Sequence, residues 1–435
     1  MSNERNGFSS RLGFVLATAG SAVGLGNIWR FPYLAAKYGG GTFLLTYLIL
    51  TLTFGFSLMI TEVALGRRAG TSAIRAFGHF NKKYTFIGYL TTLIPFIIFP
   101  YYCVIGGWVT KYALVSIQGG IHDAASDTFF TGFISKSAEP MICVLVFLIV
   151  TTLVVAGGVK GGIERVSTIM MPVLIVLLIG VSIFCITRPG AMAGVAYYIK
   201  PNLKDFSPTT ILAALGQLFY SMSLAMGIMV TFGSYMPKKS DLEKSVTQVE
   251  IFDTGVAFLA GLMIVPAVFI FSNGDSSMLA KGPSLMFVML PKVFNSMAFS
   301  SIIAAVFFIL VLLAALTSSI SLLETLVAVL MDKFHMKRGT ACITMFIVAL
   351  LLAVPSSLGF GAWSNITILG FDFLDFFDFI SNSVLMPIAA FLTCIFVGYI
   401  IKPKEIIDEV ESSGEFKRKP LFLVMVKYIA PICIV

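Results

Sequence analysis

Three glycines and an asparagine interrupt an apolar segment that runs from about residue 12 to residue 36. They lie in the stretch from Gly20 to Asn27. A glycine inside a helix costs about 1 kcal/mol relative to alanine, and in hydrocarbon a backbone group that unwinding releases finds no water to bond. Unwound backbone presents carbonyl oxygens to cations and amide N–H groups to anions. The stretch therefore predicts a binding site rather than a plain helix.

A second interruption follows about 200 residues later. There, Ser221 to Gly227 again place small and hydroxyl residues inside an apolar segment. A pair of interrupted segments in corresponding positions of two halves indicates the binding site of a secondary transporter near the bilayer midplane. Its carbonyls and amides together suit a zwitterion. The alternative for either segment alone is that small residues only allow close packing of helices.

The side-chain oxygens expected near these interruptions are uncharged. They are the amide of Asn27 and the hydroxyls of Ser221, Thr317 and Ser318. A largely neutral set of oxygens suits a monovalent hard cation better than zinc or another transition metal. The sequence therefore predicts sodium as the bound ion.

Composition shows what kind of element must hold these groups. The 435 residues are 57% hydrophobic and 12% charged, with a mean hydropathy of +0.94. One soluble core could not hide so much apolar surface, so we expect an all-α polytopic membrane protein. Windows of about 20 apolar residues predict eleven spans, near residues 12–36, 42–66, 85–117, 140–156, 166–187, 210–236, 248–272, 300–331, 339–355, 368–400 and 420–435.

The distribution of lysine and arginine predicts the topology. Most of the 30 basic residues fall in every second loop, and such loops are cytoplasmic in multi-pass proteins. We expect a cell inner (plasma) membrane protein with a cytoplasmic N-terminus and, after an odd number of spans, a C-terminus outside. The net charge of +8 then belongs to the loops, so the expected partner is the lipid bilayer and no nucleic acid.

An enzyme finds little support in the sequence. The histidines, His79, His122 and His335, lie in predicted loops. No HExxH, GxSxG or P-loop pattern occurs, and no acid–base pair accompanies a nucleophile at the midplane. The six cysteines fall inside apolar runs without metal-ligand spacing, which predicts free core thiols.

Further short motifs surround the first interruption. They are Arg11-Leu12-Gly13-Phe14, Trp29-Arg30-Phe31-Pro32-Tyr33, Gly39-Gly40-Gly41-Thr42-Phe43, Glu62 with Gly66-Arg67, Tyr101-Tyr102, Ser234-Tyr235 and Leu316-Thr317-Ser318-Ser319. With these motifs the chain resembles the neurotransmitter:sodium symporters over essentially its whole length. The resemblance implies the LeuT fold and sodium-coupled secondary active uptake of an amino acid by alternating access. It further implies one transporter domain over 1–435, with inverted five-helix repeats at about 12–187 and 210–400 and an extra segment at 420–435.

The resemblance also implies two sodium sites. The first would combine the substrate carboxylate with Ala22, Asn27, Ser221 and Asp253. The second would consist of Gly20, Val23, Ala314, Thr317 and Ser318.

By the same matching, the substrate carboxylate would meet the amides of Leu25 and Gly26 and the hydroxyl of Tyr102. The ammonium would meet carbonyls at the two breaks. The full set of implied substrate residues is Ala22, Gly24, Leu25, Gly26, Ile98, Tyr102, Tyr220, Ser221, Ser223, Leu224, Met226, Ser318 and Leu322. Their apolar members predict a large hydrophobic or aromatic L-amino acid.

Two residues depart from the family pattern, because Tyr220 and Ala225 stand where phenylalanine and glycine are usual. These departures leave the selectivity for the substrate side chain open. Other functions also stay open, because they share the composition and could share the fold. They are a sodium-coupled carrier of another small zwitterion, of the betaine or taurine type, a ligand-gated channel, and a transporter-like nutrient sensor. Sodium-dependent accumulation of substrate would separate a symporter from the last two.

Charged residues in apolar segments are functional candidates by default. The resemblance implies an outer gate formed by Arg30 and Asp375, and an inner gate formed by Arg5 and Asp332 near Tyr235. Glu62 and Glu324 could equally be structural acids or contact the solute.

Asp253 stands where the chloride-dependent animal members carry a neutral asparagine. Its carboxylate could supply the negative charge that chloride supplies there, so we expect no chloride requirement. The alternative is that Asp253 only bonds to Thr254 or to a neighbouring helix.

Overall fold

The first apolar segment forms two helices rather than one. In the computed structural model, which describes residues 7–272 and 284–434, helix α1 covers Arg11–Ala22 and helix α2 covers Gly26–Lys37, with a 54° bend between them. The Ser10 hydroxyl caps the start of α1 by accepting a hydrogen bond from the Gly13 amide at 3.0 Å. At the other end, Val23 is extended and ends the helix.

The remaining major helices follow in chain order. They are α3 (Gly41–Ala69), α4 (Lys82–Ile117), α5 (Ala138–Ala156), α6 (Val159–Ile186), α7 (Pro208–Ser221), α8 (Ile228–Ser234), α9 (Leu242–Phe271), α10 (Ser300–Phe334), α11 (Arg338–Leu358), α12 (Phe373–Ile400), α13 (Lys404–Glu411) and α14 (residues 419–434). Shorter helices cover Ala73–Phe80, Ile121–Ala124, Phe129–Ile134, Ala191–Ile199 and Leu285–Asn295. Over the described residues the chain forms no β-strand beyond one isolated bridge.

The second interruption also appears, between α7 and α8. The linking residues 222–227 leave the helical path, and Ser223, Ala225 and Gly227 have φ values of +52°, +62° and +72°. Left-handed backbone suits glycine, whereas each non-glycine residue there costs on the order of 1–3 kcal/mol. The surrounding contacts must therefore hold Ser223 and Ala225 in place.

The membrane-spanning segments agree with the sequence prediction. Among the described residues, eight helices are long and apolar enough to cross a bilayer, and the bent pair of α1 and α2 makes a ninth. The other two of the eleven predicted spans are the interrupted pair α7 and α8 and the shorter α14, whose bounds lie close to the predicted windows. The expectation of an all-α multi-pass protein is confirmed.

Packing brings the two interruptions together at the centre of the protein. Helix α1 packs against α9 and α10, and α2 packs against α9. Helix α8 packs along α3. Residues from α1, α7, α9 and α10, far apart in sequence, therefore share one buried region.

A buried ion pair ties the C-terminal part of the chain to α3. The Arg67 side chain is fully buried and its Nε lies 2.7 Å from a carboxylate oxygen of Glu409 on α13. Arg67 Nη1 also donates to the Ser240 carbonyl at 2.9 Å. Lys238 reaches the same Glu409 oxygen at 3.1 Å. The neighbouring pair of Arg68 and Glu405 is exposed by about a third on both sides.

We expect Arg67→Ala to destabilise the protein by about 3–5 kcal/mol, because it leaves a buried carboxylate without its main partner. The matched control is Arg68→Ala, which removes a solvent-screened pair and should cost about 0–1 kcal/mol. Thermal unfolding of the purified protein in detergent measures both. Equal losses of melting temperature in the two variants would contradict this account.

Candidate functional site

Asn27 joins the two interruptions. Its Nδ2 donates to the Ser221 hydroxyl at 2.9 Å and to Asp253 Oδ1 at 2.7 Å, while its Oδ1 accepts from the Gly24 amide at 3.1 Å. Asn27 follows the break in the first segment, Ser221 ends α7, and Asp253 lies on α9. Three helices thus meet at one hydrogen-bonded cluster.

Asp253 is the centre of this cluster. It is fully buried and its Oδ1 also accepts from the Ser221 hydroxyl at 2.8 Å, while its Oδ2 accepts from the Tyr47 hydroxyl at 3.2 Å. A carboxylate in an apolar interior is costly unless it is paired. The neighbouring Thr254 hydroxyl has no hydrogen-bond partner among the described residues, so Asp253 is not bonded to it.

This cluster contains three of the four residues implied for a first cation, and the fourth, Ala22, lines the adjoining cavity. The Ser221 hydroxyl donates to the Asp253 carboxylate at 2.8 Å, so these two oxygens already lie side by side. Carboxylate, hydroxyl and amide oxygens suit a hard cation. The cluster therefore has the types of oxygen that such a site needs.

A second group of oxygens lies where α1 contacts α10. The Ser318 hydroxyl donates to the Ser21 carbonyl at 3.0 Å and lies 3.4 Å from the carbonyls of Gly20 and Val23. The Thr317 hydroxyl lies 3.1 Å from the Ala314 carbonyl. Ser318 thus meets the carbonyls of Gly20 and Val23, and Thr317 lies beside Gly20, while Ala314 precedes Thr317 by one turn of the same helix.

One cavity lies between these two groups, with a volume of about 30 Å³. Its walls come from both helix breaks, from α4 and from α10. The lining residues are Ser21, Ala22, Gly24, Leu25, Gly26, Asn27, Ile98, Tyr102, Tyr220, Ser221, Ser223, Met226, Ile228, Ser318 and Leu322. Because pockets for small ligands measure roughly 300–1,000 Å³, the walls must separate to admit a substrate.

Twelve of the thirteen implied substrate residues line this cavity. The exception is Leu224, which is fully buried in the link between α7 and α8 but does not line it. Ser21 and Ile228 also line the cavity, although the sequence analysis did not name them as substrate residues. Ser21 could have been found from the sequence, because it lies within the first interruption. Its carbonyl accepts from the Ser223 hydroxyl at 3.0 Å and so links the two breaks.

Tyr102 supplies an unused donor at the cavity wall. Its hydroxyl is buried and has no hydrogen-bond partner within residues 7–272 and 284–434. A buried polar group without a partner costs about 1–3 kcal/mol. The hydroxyl faces the first break, because a side-chain carbon on Gly24 would lie 3.3 Å from it. A carboxylate at this point would satisfy it.

An outer cavity of about 170 Å³ lies beyond Tyr220. Arg30 and Asp375 both line it, as does Asp378. The ion pairs of the described residues include none within 4.0 Å between Arg30 and Asp375. The Arg30 guanidinium instead lies 5.1 Å from the centre of the Tyr220 ring. The two residues implied for the outer gate therefore line the same cavity but do not form a salt bridge.

The implied inner gate is described only in part. Arg5 lies outside the described residues. Asp332 accepts from the Ser72 amide at 2.6 Å, and Tyr235 donates to Glu324 at 2.7 Å. Both Asp332 and Tyr235 line an inner cavity of about 860 Å³.

Glu62 and Glu324 do not line the central cavity, and both form hydrogen bonds or ion pairs with other parts of the protein. Glu62 accepts from the Ala225 amide at 2.7 Å, which fixes the left-handed link between α7 and α8. Glu324 pairs with Arg338 and with the Tyr235 hydroxyl. The structural alternative stated for these two acids therefore fits their contacts.

Comparison with known proteins agrees with this geometry. The sequence model of the sodium:neurotransmitter symporter family matches residues 5–131 and 128–435. The uncharacterized sodium-dependent transporter YhdH of Bacillus subtilis is 36% identical, covering 98% of this chain and 96% of its own. The human sodium- and chloride-dependent GABA transporter 2 is 24% identical, covering 96% of this chain and 77% of its own.

A solved structure is similar as well. The crystal structure of MhsT in complex with L-phenylalanine has 39% sequence identity and a TM-score of 0.90, and the match covers 99% of this chain and 98% of that one. At this identity and coverage, the two chains share one fold over essentially their whole length.

We expect Gly26→Ala to lower the free energy of unfolding of the protein by about 1–3 kcal/mol, the usual cost of overpacking. A side-chain carbon on Gly26 would lie 2.5 Å from the Tyr220 ring. The matched control is Gly216→Ala on α7, where an added carbon meets no atom within 4 Å and alanine favours the helix. Melting temperatures of both variants check this. A Gly26→Ala protein as stable as the control would show that Tyr220 moves freely.

Proposed function

The chain belongs to the sodium:neurotransmitter symporter family, and we propose that it takes up a large hydrophobic or aromatic L-amino acid with sodium by alternating access. Membership makes it a sodium-dependent multi-pass transporter and not an enzyme. The observation that carries the substrate class is the central cavity, in which two unwound backbone segments face an apolar wall. The L-phenylalanine bound to MhsT supports the same class.

The carboxylate end of the substrate would lie at the first break. There the chain enters α2, and the free amides at a helix start favour negative charge. Leu25 and Gly26 line the cavity at this start. The Tyr102 hydroxyl, which has no partner among the described residues, provides a third donor. A bound carboxylate would therefore remove the cost of burying this hydroxyl without a hydrogen bond.

The ammonium end would lie against carbonyls at the ends of α1 and α7. Ala22 and Ser221 are the last residues of these two helices, and both line the cavity. The last carbonyls of a helix lack partners within it and carry partial negative charge. The amides at the start of α2 and the carbonyls at the ends of α1 and α7 thus offer both polarities around one small space.

The side chain of the substrate would lie among Ile98, Met226 and Leu322. These residues line the cavity and offer no charge, so an unpaired ionised side chain would cost several kcal/mol. The flexible thioether of Met226 can adjust to different shapes. The Tyr220 hydroxyl provides a partner for a phenol or an indole N–H.

Two sodium ions would bind at the two oxygen groups. The first site would use Asp253, Ser221 and Asn27 with the substrate carboxylate, and the second would use the carbonyls near Ser318. Binding of the first ion and the substrate would be coupled, since they share the carboxylate. The inverted repeats at 12–187 and 210–400, each beginning with an interrupted helix, would allow the site to open alternately to either side.

Arg30 and Asp375 would close the outer cavity over Tyr220. The proposed orientation places the N-terminus in the cytoplasm and the inner cavity, with Asp332 and Tyr235, on the cytoplasmic side of a plasma membrane. Arg5 would belong to the same inner gate.

The test is uptake of labelled amino acids into proteoliposomes. We expect uptake of phenylalanine, tyrosine, tryptophan and leucine with sodium outside and none when potassium replaces it. Each net positive charge moved inward gains about 2.3 kcal/mol per 100 mV, or roughly a 50-fold rise in accumulation. An inside-negative potential should therefore increase accumulation.

Three results would contradict the proposal. They are equal uptake in sodium and potassium, competition by lysine or glutamate where leucine fails to compete, and a preference for betaine or taurine. Binding without sodium-driven accumulation would indicate a sensor instead.

We also expect transport that needs no chloride, because Asp253 supplies the negative charge beside the first sodium. Replacing chloride with gluconate should leave the uptake rate within about twofold. Asp253→Asn should abolish uptake or make it respond to chloride, since the charge balance around the ion is lost. The control is Thr254→Val, which removes a hydroxyl that bonds to none of the described residues and should transport normally.

A large fall in uptake by the unmodified protein in gluconate would show that Asp253 does not replace the anion. Chloride-independent uptake by Asp253→Asn would show the same.

A further inference from the structure

The outer cavity contains two carboxylates but one guanidinium. Asp375 and Asp378 lie three residues apart on α12, so their side chains share one face of that helix. Both line the cavity of about 170 Å³, and among its described lining residues Arg30 is the one basic side chain. The gate implied by the family resemblance uses Asp375, so Asp378 has no assigned role.

The two carboxylates differ in how firmly they are held. Asp378 Oδ1 accepts from the Tyr101 hydroxyl at 3.1 Å and from Asn382 Nδ2 at 2.5 Å. Tyr101 is 1% exposed, so this side of Asp378 is anchored in the interior. The exposed Asp375 uses only its backbone amide in a hydrogen bond with the described residues, and its carboxylate pairs with none of them. Asp378 is therefore a fixed acceptor, whereas Asp375 is free to move.

One oxygen of Asp378 remains available to the cavity. Its Oδ2 bonds to none of the described residues, yet it is not among their fully buried oxygens without a partner. Oδ2 thus keeps an open side, and Asp378 lines the outer cavity. The Arg30 guanidinium, now over the Tyr220 ring, lines the same space. A guanidinium has five N–H donors in a planar fork, so it can bind two carboxylates at once.

Tyr101 connects Asp378 to the central site. The next residue on α4 is Tyr102, which lines the central cavity. Tyr220 lines both the central and the outer cavity. An Arg30 bound to Asp378 would therefore lie across the wall between the two cavities, and its acceptor would be anchored on a helix that borders both.

We propose that Asp378 is a positioning residue of the outer gate. When the outer cavity closes, the Arg30 guanidinium binds the free oxygen of Asp378 with one edge and Asp375 with the other. Tyr101 fixes where Asp378 lies, so Arg30 closes over Tyr220 at a defined place, and the mobile Asp375 completes the pair. This inference rests on the proposed function, which requires a gate on this side.

The test is thiol labelling of the outer cavity in potassium buffer without any amino acid, so that the result does not depend on the substrate. Ile105→Cys places a thiol on the cavity wall, where Ile105 is 4% exposed. Protein without this change gives the background from the native cysteines. We expect Asp378→Asn to speed labelling about tenfold, because Arg30 then loses a charge-assisted bond that closes the cavity.

A double-variant cycle separates a partner of Arg30 from a residue that only supports the fold. Arg30→Gln should speed labelling at least as much as Asp378→Asn does, since it removes the shared partner of both carboxylates. Adding Asp378→Asn to Arg30→Gln should then change the rate less than about twofold, because the bond between them is already lost. Tyr101→Phe, which frees Asp378, should speed labelling about threefold and add nothing to Asp378→Asn.

The matched control is Asp372→Asn, one turn earlier on the chain. Asp372 accepts from the Asp375 amide at 2.8 Å at the start of α12 and does not line the outer cavity. Asparagine can keep this capping bond. The change removes one negative charge near the same cavity and should leave the labelling rate within about twofold.

Three results would overturn the proposal. They are a labelling rate in Asp378→Asn within twofold of the parent, rate increases that multiply when Arg30→Gln and Asp378→Asn are combined, and an equal increase in Asp372→Asn. A lower melting temperature of Asp378→Asn with unchanged labelling would be the first of these and would show a structural role only. Uptake is measured separately on the unmodified protein, so a gate that behaves as described without sodium-driven uptake would contradict the proposed function and not this inference.

Discussion

Backbone polar groups released inside a membrane must find partners without water, and this constraint governs the centre of the protein. At each break, side chains bond to the released backbone groups. Asn27 accepts from the Gly24 amide, Glu62 accepts from the Ala225 amide, and Gln217 donates to the Gly26 carbonyl at 2.9 Å. The bond from Glu62 also holds Ala225 in a left-handed conformation that would otherwise be strained. They also explain why buried polar residues concentrate where the helices are interrupted.

The same requirement suits the region to the binding that we propose for it. A hydrogen bond between two protein groups in a low-dielectric interior can be exchanged for a bond to an ion or a zwitterion at little net cost, whereas an unmade bond is expensive. Asp253, Ser221 and Asn27 bond to one another, and Ser318 bonds to carbonyls of α1. Each group is therefore a preformed set of oxygens. Glycines at positions 24 and 26 allow the backbone to approach Ser318 and Tyr220.

Paired charges elsewhere fix the helices that carry this centre. Arg67 with Glu409, and Arg338 with Glu324, join segments far apart in sequence. Such complete buried pairs favour one arrangement of the chain, because losing either partner would leave a buried charge uncompensated.

The sequence by itself determined the class of protein, the eleven apolar segments, the two interruptions and the family, because hydropathy, glycine placement and short motifs are local properties of the chain. It also identified nearly all of the cavity lining through matched motifs. Only the tertiary structure decided which oxygens meet. It placed Ser21 and Ile228 on the lining and Leu224 off it, left Arg30 on Tyr220 rather than on Asp375, and directed Glu62 to the Ala225 amide. Those outcomes depend on how helices rotate and pack against one another across hundreds of residues, which no spacing along the chain specifies.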